Sequence, residues 1–494
     1  MKKIRTIALF IALVLLMTGC AEASLTADNT VTETTQISSE DLYSDRDFET
    51  DYDESDAVLI SLTSDSVTIT EEGTYIVQGT LEDGSIIIDA GDEDKVQLIL
   101  DGCSISSASS AAIYVKNADK VFITTAQGSV NTLTNVTGFE ADEESNIDGV
   151  IFSKSDLTLN GEGILIISSC DHGIVGKDDL VITSGEYEID STGDALQAND
   201  LIAISDGTFT INSGDDAIRC DADLVIDGGT IDILSSKEGL EGNTITINGG
   251  DITLEASEDG INASGESGDT MMSDSSCQIY ITGGTVSITT YGDGIDSNGD
   301  LTITGGYITV SGPENSGNGS LDYAGTGTIT GGTIIAAGIS GMEMNMTEAT
   351  QGSILVSTGN QSAGTEITVT DASGNEIISF TPSTSYSCVL ISSPELQVGQ
   401  TYTISSASSS QDVTLDDYIY GQSMGFGGFG GGFGGPGGQM PDGQMPDMSD
   451  FDGQMPSDFN GERPELPEGS DGQTPPDLPE GFDGQTPPEP PSGR

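Results

Sequence analysis

Carboxylates recur at a nearly fixed interval through the middle of the chain. Each member of this series stands two positions before an apolar residue, and one member is a histidine: Asp148, His172, Asp194, Asp216, Glu238, Asp259 and Asp293. A second series stands one position after the same apolar residues: Ile151, Val175, Gln197, Arg219, Glu241, Asn262 and Asp296. Carboxylates stacked this way repel each other by roughly 1 kcal/mol in water and by about 3 to 4 kcal/mol at an effective dielectric constant of 20. Such a column needs a counterion.

Calcium is the counterion that these side chains suit, because Ca²⁺ takes about six to eight oxygen ligands and tolerates irregular geometry. Transition metals are poorly served, since His172 is the only histidine and no CxxC pair is present. The sequence predicts Ca²⁺ ligands in three groups: Asp194 with Asp215 and Asp216, Glu238 with Glu241 and Asp259, and Asp293 with Asp296. The alternative is that these acids only shape turns, where Asp accepts hydrogen bonds from nearby backbone N–H groups.

Arg219 is the only arginine between Arg46 and Arg463, and it stands among acidic residues. In a calcium-dependent polysaccharide lyase, an arginine removes the proton beside a uronate carboxyl group that Ca²⁺ has made more acidic. The alternative is a salt bridge that relieves the acidic column, because no companion lysine or arginine is expected nearby to hold an acidic sugar. We predict Arg219 as a ligand-binding residue and predict no catalytic residue, so the chain is expected not to be an enzyme.

Sugar rings without charge usually stack on aromatic side chains, but the chain has no Trp. Tyrosines in the later units are predicted to take that role: Tyr291, Tyr307 and Tyr323. The alternative is that they are ordinary surface tyrosines.

A repeat of about 22 residues positions these side chains. Glycines precede an apolar alternation at Gly163, Gly185, Gly207, Gly229, Gly250, Gly284, Gly306 and Gly332. The apolar anchors of the acidic series are Val150, Ile174, Leu196, Ile218, Leu240, Ile261 and Ile295. Two independent anchors with one period identify a solenoid. The long step after Ile261 predicts a loop between Asn262 and Cys277.

Period-two alternation bounded by Gly and Asp predicts strands rather than helices. Three short strands and three turns fill about 22 residues, which is one coil of a right-handed parallel β-helix. Because parallel strands stack about 4.8 Å apart, equivalent residues of successive coils lie above one another. We therefore predict an all-β fold, a right-handed parallel β-helix with a small C-terminal β cap and a disordered tail.

Composition divides the chain into five predicted parts. Residues 1–20 are a signal peptide and 21–56 an acidic linker rich in Ser and Thr. The β-helix is expected over 57–350, and the longer strands after it predict a cap over 351–415, as an open solenoid end requires. Residues 416–494, rich in Gly, Pro and Asp, are expected to be disordered because they bury too little apolar surface.

The first residues follow the order of an export signal, with a basic tip, an apolar run and a small-residue stop. Leu16 to Cys20 resembles a bacterial lipobox, which predicts lipidation at Cys20 and an extracellular lipoprotein anchored to the cell membrane. An ordinary signal peptide is the alternative. The remaining cysteines are odd in number and are predicted to be small buried residues: Cys103, Cys170, Cys220, Cys277 and Cys388.

Net charge limits the partners. The chain has 13 Lys and Arg against 81 Asp and Glu, which gives −68. Nucleic acid is excluded as a partner, because its phosphates require clustered basic residues. An anionic membrane surface would not attract the folded part either.

Repeats of the Asp-Gly-Ile and Ile-Thr-Gly-Gly-Thr-Ile type are followed by a closing Ser392–Leu396 and Gly399–Thr403. In these motifs and in its lipoprotein signal, the chain resembles the bacterial carbohydrate-binding β-helix family over about residues 57–410. The resemblance implies a β-helix of pectate-lyase type that binds calcium and plant-wall polysaccharides, both acidic polygalacturonate and neutral cellulose, without demonstrated hydrolysis. The alternatives are a calcium-dependent lyase and an adhesin-like structural spacer stabilised by calcium.

Overall fold

A computed structural model of the chain describes residues 42–140, 146–265, 274, 276–407 and 409–423. All of these lie in the first of two compact units, which ends at Gly431. Within the described ranges, no helix is both long enough and apolar enough to cross a membrane.

The chain winds into a parallel β-solenoid of about 12 turns with three sheets around one core. Sheet 1 contains Val58–Leu62, Gly73–Leu81, Lys95–Ser106, Lys120–Thr125, Asp156–Gly161, Asp179–Ile182, Leu201–Ile204, Ile218–Ile226, Leu240–Ile247, Gln278–Ile281, Asp300–Ile303, Gly327–Ile329 and Glu348–Ala349. Sheet 2 contains Val130–Asn135, Ile164–Ser169, Glu186–Ser191, Thr208–Ser213, Thr230–Ser236, Asp251–Ala256, Thr285–Thr290, Tyr307–Ser311 and Thr333–Gly338. Sheet 3 contains Val67–Ile69, Ile86–Asp89, Ile113–Asn117, Gly149–Ser153, His172–Gly176, Leu196–Ala198, Ile261–Ala263, Ile295–Ser297 and Asp322–Tyr323. Four strands bend at a corner and join two sheets: Gly73–Leu81 and Lys95–Ser106 reach sheet 2, while Ile218–Ile226 and Leu240–Ile247 begin in sheet 3.

Alternation along each strand explains the core. Inward positions carry Ile, Leu and Val, which stack on the same residue types of the next coil and are fully buried. Ile174, Leu196 and Ile218 pair in this way in sheet 3. Most outward positions carry Thr, Ser, Asp and Asn and face solvent, but some outward residues of the N-terminal coils, such as Phe152 and Val175, are buried.

The predicted all-β solenoid is confirmed, and so is the register of its anchors from Ile174 to Ile295. The first anchor is wrong by one residue, because Ile151 rather than Val150 pairs with Ile174. Asp148 therefore lies one position outside the predicted series. In the loop predicted between Asn262 and Cys277, residues 266–273 and 275 lie outside the described part.

A β cap closes the C-terminal end, as predicted. Tyr386–Ser393 pairs antiparallel with both Thr333–Gly338 and Gly352–Gln361. A four-stranded antiparallel sheet packs against them through a second hydrophobic cluster, and it contains Ile367–Asp371, Glu376–Phe380, Thr401–Ser406 and Ser409–Thr414. Ile419–Tyr420 also pairs with the cap, so ordered chain extends past residue 415 into the predicted tail. Residues 424–494 of that tail lie outside the described part.

Part of the predicted solvated linker is folded against sheet 1. The segment contains a 3-10 helix, Asp45–Phe48, and the Asp47 side chain is only 1% exposed. The Asp47 carboxylate accepts hydrogen bonds from the Lys120 ammonium at 2.7 Å and the Thr158 hydroxyl at 2.5 Å. The linker prediction is therefore wrong near residue 47, because this buried carboxylate is matched by fixed partners on the solenoid.

Candidate functional site

The acidic series lies on the outer side of sheet 3, which we call the sheet 3 face. At the corner leading into this sheet stand Asp194, Asp216, Glu238, Asp259 and Asp293. Along the sheet itself, one outward residue of each coil pairs with the next in an unbroken row: Gln197, Arg219, Glu241, Asn262, Asp296 and Asp322. The parallel stacking of the coils thus converts a sequence period into two adjacent rows of side chains, all of which bear oxygen except Arg219.

Carboxylate oxygens converge at three places on this face, within 4.8 Å of one another in each. The groups are Asp194 with Asp215 and Asp216, Asp216 with Glu238 and Glu241, and Asp259 with Asp293 and Asp296. The structure brings all eight predicted metal ligands into these groups, but it divides them differently from the sequence. Asp259 joins the next coil's acids instead of Glu238, and Asp216 is shared by two groups.

One oxygen of several corner carboxylates has a structural role. The Asp216 backbone N–H donates to Asp194 Oδ1 at 3.0 Å, and the Asp293 N–H donates to Asp259 Oδ1 at 2.6 Å. Each bond links a turn to the equivalent turn of the neighbouring coil. The alternative that these acids shape turns therefore explains one of the two oxygens in each of these carboxylates.

Two carboxylate oxygens at this corner are buried without a hydrogen-bond partner among the described residues. Asp194 and Asp216 are 1% and 3% exposed, yet Asp194 Oδ2 and Asp216 Oδ1 accept no hydrogen bond. Gln197 Oε1 and Asn262 Oδ1 in the outward row are equally unmatched. Buried oxygens without donors are costly, and a bound cation is one way to satisfy them.

Burial and crowding raise the pKa values of several of these carboxyl groups. Burial raises the pKa of Asp296 to about 8, and the carboxylates of Asp293 and Asp322 add to the rise. Burial also raises the pKa of Asp293 to about 7. Burial raises the pKa of Glu238 to about 7, although a hydrogen bond from the Asn262 amide lowers it. Burial and the adjacent glutamates raise the pKa of Asp216 as well. A cation bound beside these four carboxyl groups would favour their ionised form.

Arg219 lies in the outward row between the acidic groups. Its guanidinium is 3.2 Å from Glu241 Oε2 and 3.5 Å from Asp221 Oδ1. Lys237 also lies close to the acids, 3.3 Å from Asp215 and 3.8 Å from Glu258. The expectation that no companion basic residue is near is therefore wrong, because the fold brings Lys237 to this corner.

The three predicted tyrosines differ. Tyr291 and Tyr307 are 50% and 43% exposed, and Tyr291 lies two residues before Asp293, at the acidic corner. Tyr323 is 3% exposed, and its hydroxyl donates to the backbone oxygen of Asn345. The assignment of Tyr323 as a sugar platform is wrong, because Asp322 takes the outward position and alternation turns Tyr323 into the core.

Asp322 is a member of the row that the sequence prediction missed. It pairs with Asp296 across adjacent coils, and burial raises its pKa. The step from Asp296 to Asp322 is longer than the repeat, because residues 312–320 form a wider turn. An alignment that allowed one insertion after Tyr307 would have found it.

The donor set fits a hard divalent cation. Each group offers three carboxylates, amide oxygens lie in the same row, and His172 Nδ1 already accepts the Asp194 backbone N–H at 2.8 Å. All the convergent donors are oxygens, which suits Ca²⁺ better than a transition metal. Asp194, Asp215, Asp216, Glu238, Glu241, Asp259, Asp293 and Asp296 are the residues that would hold it.

Comparison with known proteins gives a family match. A family described as carbohydrate-binding domain-containing protein matches residues 63–224 and 216–379, which together exceed half of the chain. A relative of that description from Acetivibrio thermocellus is 37% identical over 133 residues, which are 26% of this chain and 46% of the relative. The chain thus spans about half the length of the relative it matches. A solved structure described as a polysaccharide lyase-like protein from C. thermocellum, gadolinium derivative, is 25% identical with a TM-score of 0.33, and the match covers 55% of this chain and 96% of that one.

Proposed function

The chain belongs to the carbohydrate-binding domain-containing family, and on that premise we propose that it binds acidic plant-wall polysaccharide through Ca²⁺ ions held on the sheet 3 face. The observation that carries this proposal is the set of buried, unpartnered oxygens of Asp194 and Asp216 within rows of converging carboxylates. Turn formation alone leaves these oxygens unexplained. A divalent cation satisfies them and lowers the repulsion between the coils.

The net charge of the chain explains why the bound cation would also help to bind the polysaccharide. A polyuronate approaching a chain of net charge −68 is repelled unless its carboxylates share cations with the protein. Ca²⁺ keeps coordination positions for ligands from two sources, because it takes about six to eight oxygens and each acidic group supplies only some of them. Tyr291, exposed beside the acidic corner, offers a ring face for the sugar.

We propose binding without catalysis. Burial would lower the pKa of Arg219, but the carboxylates of Glu241 and Asp194 outweigh it and raise the pKa. An arginine that acts as a base must lose its proton, and its ion pair with Glu241 at 3.2 Å opposes that loss. This geometry supports a salt bridge and a ligand contact for Arg219 rather than a lyase mechanism.

We also propose that the protein is displayed outside the cell on a lipid anchor at Cys20, which lies outside the described residues. The basic tip, apolar run and lipobox-like Leu16–Cys20 support this. In a bacterial host, the chain should fractionate with membranes and incorporate a labelled fatty acid, whereas Cys20→Ala should do neither. Cys170→Ala is the matched control. Equal labelling of the Cys20→Ala and wild-type proteins would reject the anchor.

The test of the binding proposal uses the full chain with immobilised polygalacturonate, cellulose and a bare matrix, each in Ca²⁺ and in chelator. We expect retention on polygalacturonate in Ca²⁺ only, with no rise in ultraviolet absorbance from unsaturated uronate. Asp216→Asn should lose this retention, while Asp232→Asn, an exposed aspartate on sheet 2, should keep it.

Two other outcomes of this binding test would change the proposed function. Rising absorbance in Ca²⁺ that Arg219→Gln abolishes would reverse the non-catalytic assignment. Failure to bind either polymer, with Ca²⁺ still raising the melting temperature, would leave a calcium-stabilised structural spacer in place of a binding protein.

A further inference from the structure

The closing motif of the sequence forms part of a groove in the C-terminal cap. The turn between Ser392 and Thr403 contributes four residues to the groove: Pro394, Leu396, Gln397 and Val398. The groove has a volume of about 420 Å³. This volume lies within the range of roughly 300 to 1,000 Å³ that is usual for ligand pockets.

The groove lies at a different corner of the solenoid from the acidic groups. Thr330, which lines it, stands between the sheet 1 strand Gly327–Ile329 and the sheet 2 strand Thr333–Gly338. Thr350 also lines it and follows the last sheet 1 strand, Glu348–Ala349. The acidic corner instead leads from sheet 2 into sheet 3. None of the candidate metal ligands therefore lines the groove among the described residues.

Hydrogen bonds hold this turn in place. The Tyr402 hydroxyl accepts the Gln397 backbone N–H at 2.7 Å and donates to the Glu395 backbone oxygen at 3.1 Å. Tyr402 itself is only 3% exposed. The Gly352 N–H donates to the Leu396 backbone oxygen at 2.8 Å. The groove is therefore already shaped before a ligand enters, so binding costs little ordering of the chain.

Tyr418 supplies the aromatic side chain of the groove and is 42% exposed. Its backbone oxygen accepts the Ser353 N–H at 2.7 Å, which fixes the position of its backbone. Val398, which is 41% exposed, and the buried Leu396 add apolar surface. An exposed aromatic ring on a fixed backbone, beside apolar side chains, suits the apolar face of a sugar ring.

The polar side chains of the groove are uncharged: Thr330, Thr350, Gln351 and Gln397. No charged side chain lines the groove in the part of the chain that the structure describes. The Gln397 amide is exposed and forms no hydrogen bond within the described ranges, so its donors and its acceptor are available. In a chain with 81 acidic residues, an uncharged lining favours an uncharged ligand. An acidic sugar would bring a carboxylate that no base or bound cation meets here.

We propose that this cap groove binds an uncharged sugar residue of a polysaccharide. The Tyr418 ring packs against the face of the sugar, and the Gln397 amide and the threonine hydroxyls bond to its hydroxyl groups. This binding goes beyond the calcium-dependent function proposed above and needs no cation. A single aromatic contact predicts a dissociation constant of about 1 mM, which is too weak for retention on a washed matrix. Binding is therefore measured in solution.

The test uses the full chain with soluble oligosaccharides of glucose, xylose and galactose in Ca²⁺ and in chelator, and with trigalacturonate in chelator. Saturation-transfer NMR of the ligand over a concentration series gives each dissociation constant. Tyr418→Ala and Tyr307→Ala form a matched pair, because these tyrosines are 42% and 43% exposed and Tyr307 lies on sheet 2. Val398→Asp and Val136→Asp form a second pair. Both valines are exposed and lie outside the strands, but only Val398 lines the groove.

At least one uncharged oligosaccharide should bind the wild type equally in Ca²⁺ and in chelator, and trigalacturonate should not bind in chelator. Tyr418→Ala and Val398→Asp should each weaken this binding about fivefold or more, while Tyr307→Ala and Val136→Asp bind like the wild type. Asp216→Asn should keep it as well. Tyr418→Ala should keep calcium-dependent retention on polygalacturonate, so the two proposals can fail separately.

Three results would overturn the groove as a sugar site. The first is that the wild type binds none of the uncharged oligosaccharides. The second is an equal loss in Tyr418→Ala and Tyr307→Ala, which would assign the binding to scattered exposed tyrosines. The third is a dimer in light scattering that Val398→Asp alone makes monomeric, which would identify the groove as a contact between two copies of the chain. Should Tyr418→Ala lose its cooperative melting transition, the pair of valine variants decides.

Discussion

At the scale of single residues, the two oxygens of a corner carboxylate can have different roles. Asp194 uses Oδ1 to accept the backbone N–H of Asp216, which fixes the stacking of two turns. Its Oδ2 is buried and unmatched, and so is Oδ1 of Asp216. An aspartate at this corner therefore stabilises the fold through one oxygen, while a buried oxygen without a donor would be satisfied by a cation.

Replacing Asp216 by Asn separates the two effects. Without Ca²⁺ the variant should be more stable than the wild type by about 1 to 3 kcal/mol, because one of several crowded carboxylates is removed. It should also lose most of the stabilisation that Ca²⁺ gives, which is about 2.7 kcal/mol at 100 times the dissociation constant. Denaturant unfolding in Ca²⁺ and in chelator measures both effects. Asp232→Asn should change neither by more than about 0.5 kcal/mol, and an equal Ca²⁺ effect in the two variants would contradict the assignment.

The raised pKa values predict the pH dependence of stability in chelator. Burial raises the pKa of Glu238 and Asp293 to about 7 and that of Asp296 to about 8 in the folded state. Folded protein then holds more protons than unfolded protein between about pH 4 and pH 8, so stability falls as pH rises through that range. Saturating Ca²⁺ should remove the fall, because it favours the ionised carboxylates. Melting temperatures from pH 5 to pH 8 that rise in chelator would contradict this.

At the scale of the turns, a stack of glycines sets how closely the coils approach. Gly284 has φ +81°, and a Cβ there would lie 2.9 Å from the backbone oxygens of Gly249 and Gly250. Gly399 in the cap has a similar φ of +86°, but among the described residues a Cβ there would meet nothing within 4 Å beyond its own chain neighbours. The two glycines thus share a backbone conformation but not a close approach.

Replacing each of these glycines by alanine should separate the cost of backbone strain from the cost of contact with the neighbouring coil. Gly399→Ala should cost about 1 to 2 kcal/mol, the penalty of a left-handed conformation for a residue with Cβ. Gly284→Ala should cost clearly more, because the neighbouring coil's backbone must also move. Chemical unfolding of both variants measures the difference. Equal losses of unfolding free energy in the two variants would mean that the coils at Gly284 can move apart at no cost.

Sequence reasoning reached the solenoid and most of the acidic rows, because both depend on a period that stacking preserves. It failed where the period is interrupted. After a wider turn, Tyr323 faces the core and the unpredicted Asp322 faces outward, and Val150 is one residue out of register. It also missed contacts between distant parts of the chain, such as that of Asp47 with Lys120, since no local pattern marks a pair brought together only by folding.

At the scale of the whole molecule, the charge of −68 makes stability depend on ions in two ways. General screening should raise the melting temperature in chelator as NaCl increases from about 10 to about 200 mM, because the Debye length falls from about 30 Å to below 10 Å. Specific binding should then add to this. Millimolar Ca²⁺ at constant ionic strength should raise the melting temperature further, and Mg²⁺ should do so less, because Mg²⁺ requires a strict octahedral geometry and keeps its water.

Asp216→Asn distinguishes the two contributions in one series of melting curves. It removes a single charge of the many, so the rise with NaCl should be nearly that of the wild type. It also removes a carboxylate shared by two of the three acidic groups, so the additional rise with Ca²⁺ should shrink sharply. If Ca²⁺ raised the melting temperature no more than NaCl at matched ionic strength, the carboxylate rows would act only through their summed field. An ordering of Ca²⁺ above Mg²⁺ above NaCl in the wild type, much reduced in this variant, is the result that ties calcium to these particular oxygens.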